Sequence, residues 1–441
     1  MIAPVTTPRR KKIIAIAYCC SPYEGSEPGV GWNLVTQIAK YADIWVIVEE
    51  RKFKASIEKY IAENGPVSGL NFVFVPEKFW AHTMWQAPGL GYVSYNWWQQ
   101  RAYKVIEELH AKIHFDAAHM INIMGFREPS YMHKLGIPFI WGPIGGTQNF
   151  PYRFLSEAGI AGGFIEGMRS VTNSIQLHYS SKVKHAARKA AHLVVAASAN
   201  KRDLQTLTDK PISVISDISL PSKTLSLTSR ESLKEDGLRI LWSATFMTRK
   251  SLPLLFKAVR QLPASVPYKI RVLGDGSLRK RWEKQAKQLG VDQHIEWLGW
   301  MPRDKAVAQL GWADVFAFTS LRDTTGTVML EALQAGLPIV TLDHQGAADV
   351  VNETCGIKVP VKSPKQVAHD LSVALKTIYE DDALRLKLSR GAQVRAKDYD
   401  FEVQAQRWKS VYEQVLGALE TNTFFDDQEV IDWPRQLQEV T

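Results

Sequence analysis

Short apolar runs alternate with stretches of helical period along this chain, and the alternation occurs in two separate blocks. In the first block, strand-like runs fall at 12–18, 43–48, 70–75, 115–119, 137–141 and 192–196, with helical patterns at 32–40, 54–61, 97–109 and 182–191. In the second, strands are expected at 238–242, 269–273, 294–298, 313–318 and 338–342, with helices at 252–262, 279–289, 305–309 and around Glu331. A strand that must pass through a helix before its next neighbour builds a parallel sheet covered on both faces. The polar, aperiodic stretch from Ser219 to Asp236, with Pro221, separates the blocks. The chain is therefore expected to be α/β, with two Rossmann-like doubly wound domains facing a central cleft. The expected divisions are 1–220, a linker at 221–237, a second domain at 238–400, an amphipathic helix at 401–420 and an acidic tail at 421–441. A cleft between two such sheets is the default ligand site.

At 441 residues the chain is long enough for two to three domains. Its formal charge of +9 favours anionic partners such as nucleotide phosphates or anionic lipid headgroups. No long Lys/Arg block and no nucleic-acid-binding motif stands out, so no nucleic-acid partner is expected. Cys19, Cys20 and Cys355 are too few for a disulfide framework, which favours a reducing cytoplasm. Arg9, Arg10, Lys11 and Lys12 precede an apolar run, but the run is short and no cleavage site follows, so it reads as a first strand and not a signal peptide. No apolar stretch approaches membrane-spanning length. No Cys/His cluster has zinc spacing, and neither metal nor cofactor is expected.

Residues 319–350, TSLRDTTGTVMLEALQAGLPIVTLDHQGAADV, carry most of the functional information. Asp323 lies in a loop at the carboxyl end of a strand. Gly326 opens a helix that holds Glu331 about two turns in, and Gly336 and Pro338 stop it. Two carboxylates flanking the free N–H groups of a helix N-terminus suit a phosphorylated ligand rich in hydroxyls, such as a nucleotide-sugar.

Ser320, Asp323, Gly326, Glu331, Ala332, Gly336, Pro338 and Gly346 resemble the acidic-x7-acidic signature of retaining glycosyltransferases of the GT-B fold, family 4, with Asp323 in place of the usual Glu. The resemblance implies that a C-terminal helix crosses back to the first domain, which is the acceptor side. It implies that Glu331 holds the donor's ribose and Asp323 its sugar, with Thr325, Gly326 and Thr327 beside the phosphates. Lys250 matches a donor-diphosphate lysine. The family's arginine position holds Thr245, and Arg249 is the candidate substitute. Gly276 and Gly299 fall where donor contacts are expected. In the first domain, Gly25, Glu27, Gly29 and Gly31 form a Gly-rich loop toward phosphates and acceptor. His119 is expected at the reacting face, and Arg127 and Gly145 at the acceptor. Without the resemblance, Lys250 reads as an exposed loop lysine and His119 as a structural histidine.

The implied activity is metal-independent sugar transfer from a nucleotide-sugar donor to a saccharide or lipid-linked acceptor, with retention, in polysaccharide or cell-envelope synthesis. A sugar phosphorylase, a sugar-phosphate synthase or a sugar-nucleotide-binding module without turnover would use the same architecture. Two stretches are candidates for an anionic membrane surface, which would place the protein peripherally on its cytoplasmic side. One is 79–98, with Trp80, Trp85, Tyr92, Tyr95, Trp97 and Trp98. The other is the basic run 182–189.

Overall fold

The computed structural model describes residues 9–78, 84, 90–221, 233 and 236–417. The first lobe contains β1 (Lys12–Ala17), α1 (Ser26–Ala39), β2 (Asp43–Glu49), α2 (Glu50–Asn64), β3 (Leu70–Val75), α3 (Leu90–Ile113), β4 (Ala117–Asn122), β5 (Phe139–Ile144), α4 (Gly159–Tyr179), α5 (Ser181–Lys189), β6 (His192–Val195), α6 (Ser198–Gln205) and β7 (Ile212–Val214). The second contains β8 (Leu238–Ser243), α7 (Leu252–Val259), β9 (Tyr268–Leu273), α8 (Arg279–Leu289), β10 (Ile295–Gly299), α9 (Arg303–Ala308), β11 (Val315–Phe318), α10 (Thr327–Gln334), β12 (Ile339–Leu342), α11 (Gln345–Val350), β13 (Gly356–Val359), α12 (Pro364–Glu380) and α13 (Asp382–Ala396). The chain then enters α14 (Phe401–Leu416).

Both sheets are wholly parallel, in the orders β3-β2-β1-β4-β5-β6-β7 and β10-β9-β8-β11-β12-β13. Strands β4, β5, β6, β11 and β12 are buried along their whole length, as a parallel sheet covered on both faces requires. Each order reverses beside its first strand, between β1 and β4 and between β8 and β11. The loops leaving those four strands are where such a fold places its ligand.

The expected return of the C-terminal helix is observed. Trp408, Val411 and Tyr412 of α14 join the core cluster that holds Ile13, Trp32, Val35 and Ile38. Both crossings between the lobes meet at Leu220, whose N–H donates to Tyr399 O at 3.0 Å and whose carbonyl accepts from Phe401 N–H at 3.1 Å. Most of the expected linker 221–237 and the whole tail 421–441 lie outside the described residues, as do residues 418–420 of the expected helix. The sequence reading omitted α4, α6, β7, α11, β13, α12 and α13. The long α4 escaped notice because most of its apolar residues, Leu177 apart, do not face the core.

Candidate functional site

Two loops meet at the switch point of the second sheet. One leaves β8 and tightens into a 3-10 turn at Thr248–Lys250; the other leaves β11 and ends at Gly326. Leu321 N–H donates to Arg249 O (2.8 Å), Thr319 Oγ1 to Lys250 O (2.9 Å) and Arg249 Nη1 to Arg322 O (3.1 Å). This lacing sets Lys250 Nζ against Asp323 Oδ2, with Arg249 Nη1 3.2 Å from Asp323 Oδ1. Burial alone would raise the Asp323 pKa, yet Lys250 and Arg249 hold it below its ordinary value. Burial lowers Lys250 in turn, and Asp323 opposes that shift. Two cations around one carboxylate leave a net positive charge, which attracts a further anion.

Gly326 adopts φ +85°, and a Cβ there would lie 3.1 Å from Phe318 Cζ, so this bend requires glycine. The following α10 has no side-chain cap at its N-terminus, which leaves first-turn N–H groups available to a ligand. A Cβ on Gly346 would lie 1.5 Å from Thr324 O, so only glycine lets the β11 loop rest on α11. Gln345 Oε1 accepts from Asp323 N–H at 3.0 Å and fixes the same loop. Glu331 is the fifth residue of α10, little more than one turn in and not the two expected. Its Oε1 accepts from Arg303 Nε at 2.9 Å.

A cavity of about 570 Å³ opens between the lobes, and Gly25, Gly29, Asp217, Arg303, Thr327 and Glu331 are among its lining residues. The Thr325 hydroxyl donates to Asp217, which links the cavity wall to the Asp323 loop. Burial pushes the Asp217 carboxyl up to about 6, and the Asp323 charge adds to the shift. Burial also raises Glu27, whose Oε1 accepts from Met124 N–H at 3.2 Å. Gly145 faces Thr324 across the lobes, since a Cβ on it would meet that side chain at 3.4 Å. Gln148 Nε2 donates to Thr324 Oγ1 at 3.4 Å nearby.

Other expected residues lie elsewhere. His119 is not at a reacting face. It is fully buried in the centre of the first sheet, where Nε2–H donates to the Gly142 carbonyl (2.8 Å) and Nδ1 accepts from the Tyr412 hydroxyl (2.6 Å). Burial lowers its pKa to about 4, so it is neutral and works as a peg for α14. Arg127 does not point freely at an acceptor, because its guanidinium is held by Gln176 and Asn173 of α4. Gly31 serves close packing, since a Cβ would lie 2.2 Å from Cys19 O. Gly276 and Gly299 adopt positive φ at the exits of β9 and β10 and do not line the cavity. Tyr95 and Trp98 are core residues, packed with Tyr18; Trp80 and Trp85 lie outside the described residues. Lys182 of the basic run is paired with Glu128.

Sequence reasoning missed Arg303, Asp217 and Gln345. Only Asp217 carried a local signal, as a lone carboxylate in the apolar approach to the linker. Among the described residues, no group of three His, Cys, Asp or Glu side chains could hold a metal ion.

Residues 227–395, which hold Arg249, Lys250, Asp323, Glu331 and Arg303, match the family model described as glycosyl transferases group 1. Over this segment the chain is similar to group 1 glycosyl transferases. A putative colanic acid biosynthesis glycosyltransferase, WcaL of Salmonella typhimurium, is 24% identical over 274 residues, covering 59% of this chain and 66% of that protein. This chain spans less than two thirds of the curated relatives it matches, and only 34% of another. The lipopolysaccharide outer core galactosyltransferase WaaB superposes with a TM-score of 0.64 at 13% identity, covering 91% of this chain and 99% of WaaB. The Anabaena protein HepE, solved in complex with UDP, gives 0.57 at 16% identity, covering 91% of this chain and 99% of HepE. These superpositions establish the GT-B fold for the two lobes around the cleft.

Proposed function

We propose that this chain is a glycosyltransferase that moves a sugar from a nucleotide-sugar donor to a saccharide or lipid-linked acceptor in the cleft. The observation that carries this reading is Asp323 held between Lys250 and Arg249 beside the uncapped start of α10. Lys250, Arg249 and the N–H groups after Gly326 bind the donor diphosphate, where negative charge grows as the sugar departs. Thr325 and Thr327 flank those oxygens. Asp323 accepts from the sugar hydroxyls. Glu331 accepts from the ribose hydroxyls, with Arg303 steadying its carboxylate. Gly25, Glu27, Gly29 and Gly145 form the opposing wall, on the acceptor side.

The transfer proceeds with retention. The bond from the anomeric carbon to the phosphate oxygen breaks, and the acceptor oxygen bonds to that carbon on the same face. The acceptor proton passes to the departing phosphate oxygen, so the products are a glycoside and a nucleoside diphosphate. No side chain need act as a strong base, and positioning with charge stabilisation supplies the rate. No metal or cofactor is part of this scheme. WcaL is named for colanic acid biosynthesis, and polysaccharide or cell-envelope synthesis on the cytoplasmic side is the setting we assign. HepE holds UDP, so uridine nucleotides are the first donors to test.

A panel of nucleotide-sugars, screened by thermal unfolding, tests the donor assignment. A donor at about 100 times its dissociation constant adds roughly 2.7 kcal/mol to stability. A melting temperature unmoved by every member of the panel overturns the assignment.

A further inference from the structure

Helix α4 is built inside out. Ile160, Phe164, Met168, Val171, Ile175 and Tyr179 recur at spacings of three and four residues, which places them on one helical face. All six are between 52% and 97% exposed, and Ile165 lies exposed beside them. Glu166, Ser170 and Asn173 of the same helix, by contrast, face the protein. Glu166 pairs with Arg322 at 3.0 Å, Ser170 Oγ accepts from Phe150 N–H at 3.1 Å, and Asn173 Nδ2 donates to Thr147 O at 2.6 Å. A helix on a water-facing surface has the opposite arrangement. The apolar stripe runs for about 28 Å along the helix axis, more than scattered exposed residues explain.

Charge indicates what covers it. From Ala158 to Lys189 the only carboxylate is Glu166, which is buried. The stripe leads directly into α5, whose Lys184, Arg188 and Lys189 add positive charge. Aromatic rings with cations over them flank both ends: Arg153 lies 5.6 Å from the Tyr152 ring and Lys184 6.0 Å from the Tyr179 ring. An in-plane helix with an apolar outer face, bordered by tyrosines and cations, fits the interface of an anionic bilayer. An isologous pairing of two copies through this face would bring like charges together.

We propose that the outer face of α4 lies in the surface of an anionic lipid bilayer. The inner face of the same helix reaches Arg322, next to Asp323, so a bilayer beneath α4 lies beside the cleft. This deepens the transfer reading, on which it rests for the conclusion that the acceptor is lipid-linked. The binding itself is tested without any transfer reaction.

The experiment is flotation of the full chain with vesicles of phosphatidylcholine alone and of phosphatidylcholine mixed equally with phosphatidylglycerol, at low salt. It is run for the natural protein, for a Phe164→Gln/Met168→Gln/Ile175→Gln variant, and for a Lys184→Ala/Arg188→Ala/Lys189→Ala variant. The natural protein is expected to float with the anionic vesicles, and each triple variant to lose about tenfold or more of that binding. Nucleotide-sugar hydrolysis in vesicle-free buffer is expected to be unchanged by the α4 variant. Failure of the natural protein to float, or equal flotation of the α4 variant, overturns the proposal while leaving the donor site standing. A concentration-dependent dimer abolished by the α4 variant overturns it in favour of a second copy.

Discussion

At the scale of single residues, the site depends on side chains that constrain one another. Lys250→Ala leaves Asp323 with Arg249 alone and removes a cation from the leaving phosphate. Transfer should fall about a hundredfold to a thousandfold in kcat, measured as nucleoside diphosphate release with the donor identified by the screen. Gly346→Ala places a carbon where Thr324 O stands. It should lower stability by at least about 2 kcal/mol, seen as a lower urea midpoint, because neither backbone can yield. Asp323 and Glu331 were legible in the sequence because a carboxylate at a strand exit or within an apolar helix must have partners, whereas Lys250, read without the resemblance, was an ordinary loop lysine. Arg303 was not legible, since its contact with Glu331 joins two elements far apart in the chain. His119 was placed at the reacting face by the resemblance, whereas the residues read alone gave a structural histidine, as the structure shows.

At the scale of elements, two helices carry information that periodicity did not give. α14 is held to the first lobe partly through His119, whose neutral ring sits between Gly142 and Tyr412. Its folded pKa, about 4, is below the ordinary 6.5. The unfolded state therefore binds more protons between those values, and stability rises with pH across that window. The contribution is fully present above pH 6.5 and is lost as pH falls toward 4. It amounts to roughly 3 kcal/mol at most. A His119→Gln variant should lose this part of the pH dependence, measured by denaturant unfolding at a series of pH values; an unchanged profile contradicts the peg role. The alternating strands and helices of both sheets were legible because buried parallel strands are apolar throughout. Helix α4 was not, because its stripe points outward, and a core search looks for the reverse.

At the scale of the whole molecule, the lobes meet across a cleft that Asp217, in the approach to the linker, helps to line. Its carboxyl, raised from 3.8 to about 6, binds a proton in the folded state that the unfolded state has released. Stability from this group is complete below pH 3.8 and is lost as pH rises through about 6. Asp217→Asn should therefore gain stability relative to the natural protein as pH increases over that window, by about 1–2 kcal/mol, read as a difference in melting temperature between pH 4 and pH 7. The tandem architecture and returning helix were anticipated from pattern and resemblance, whereas the inter-lobe bonds through Asp217, Gln148 and Glu166 depend on tertiary placement alone. The central claim is that the cleft binds a nucleoside diphosphate through Lys250 and Glu331, on opposite sides of the Gly326 turn. Titration calorimetry of the natural protein, Lys250→Ala and Glu331→Gln with UDP and the other nucleoside diphosphates tests it most directly. The account predicts one site for one of these nucleotides, weakened about tenfold or more by each substitution; no binding of any of them, or binding untouched by both substitutions, would contradict it.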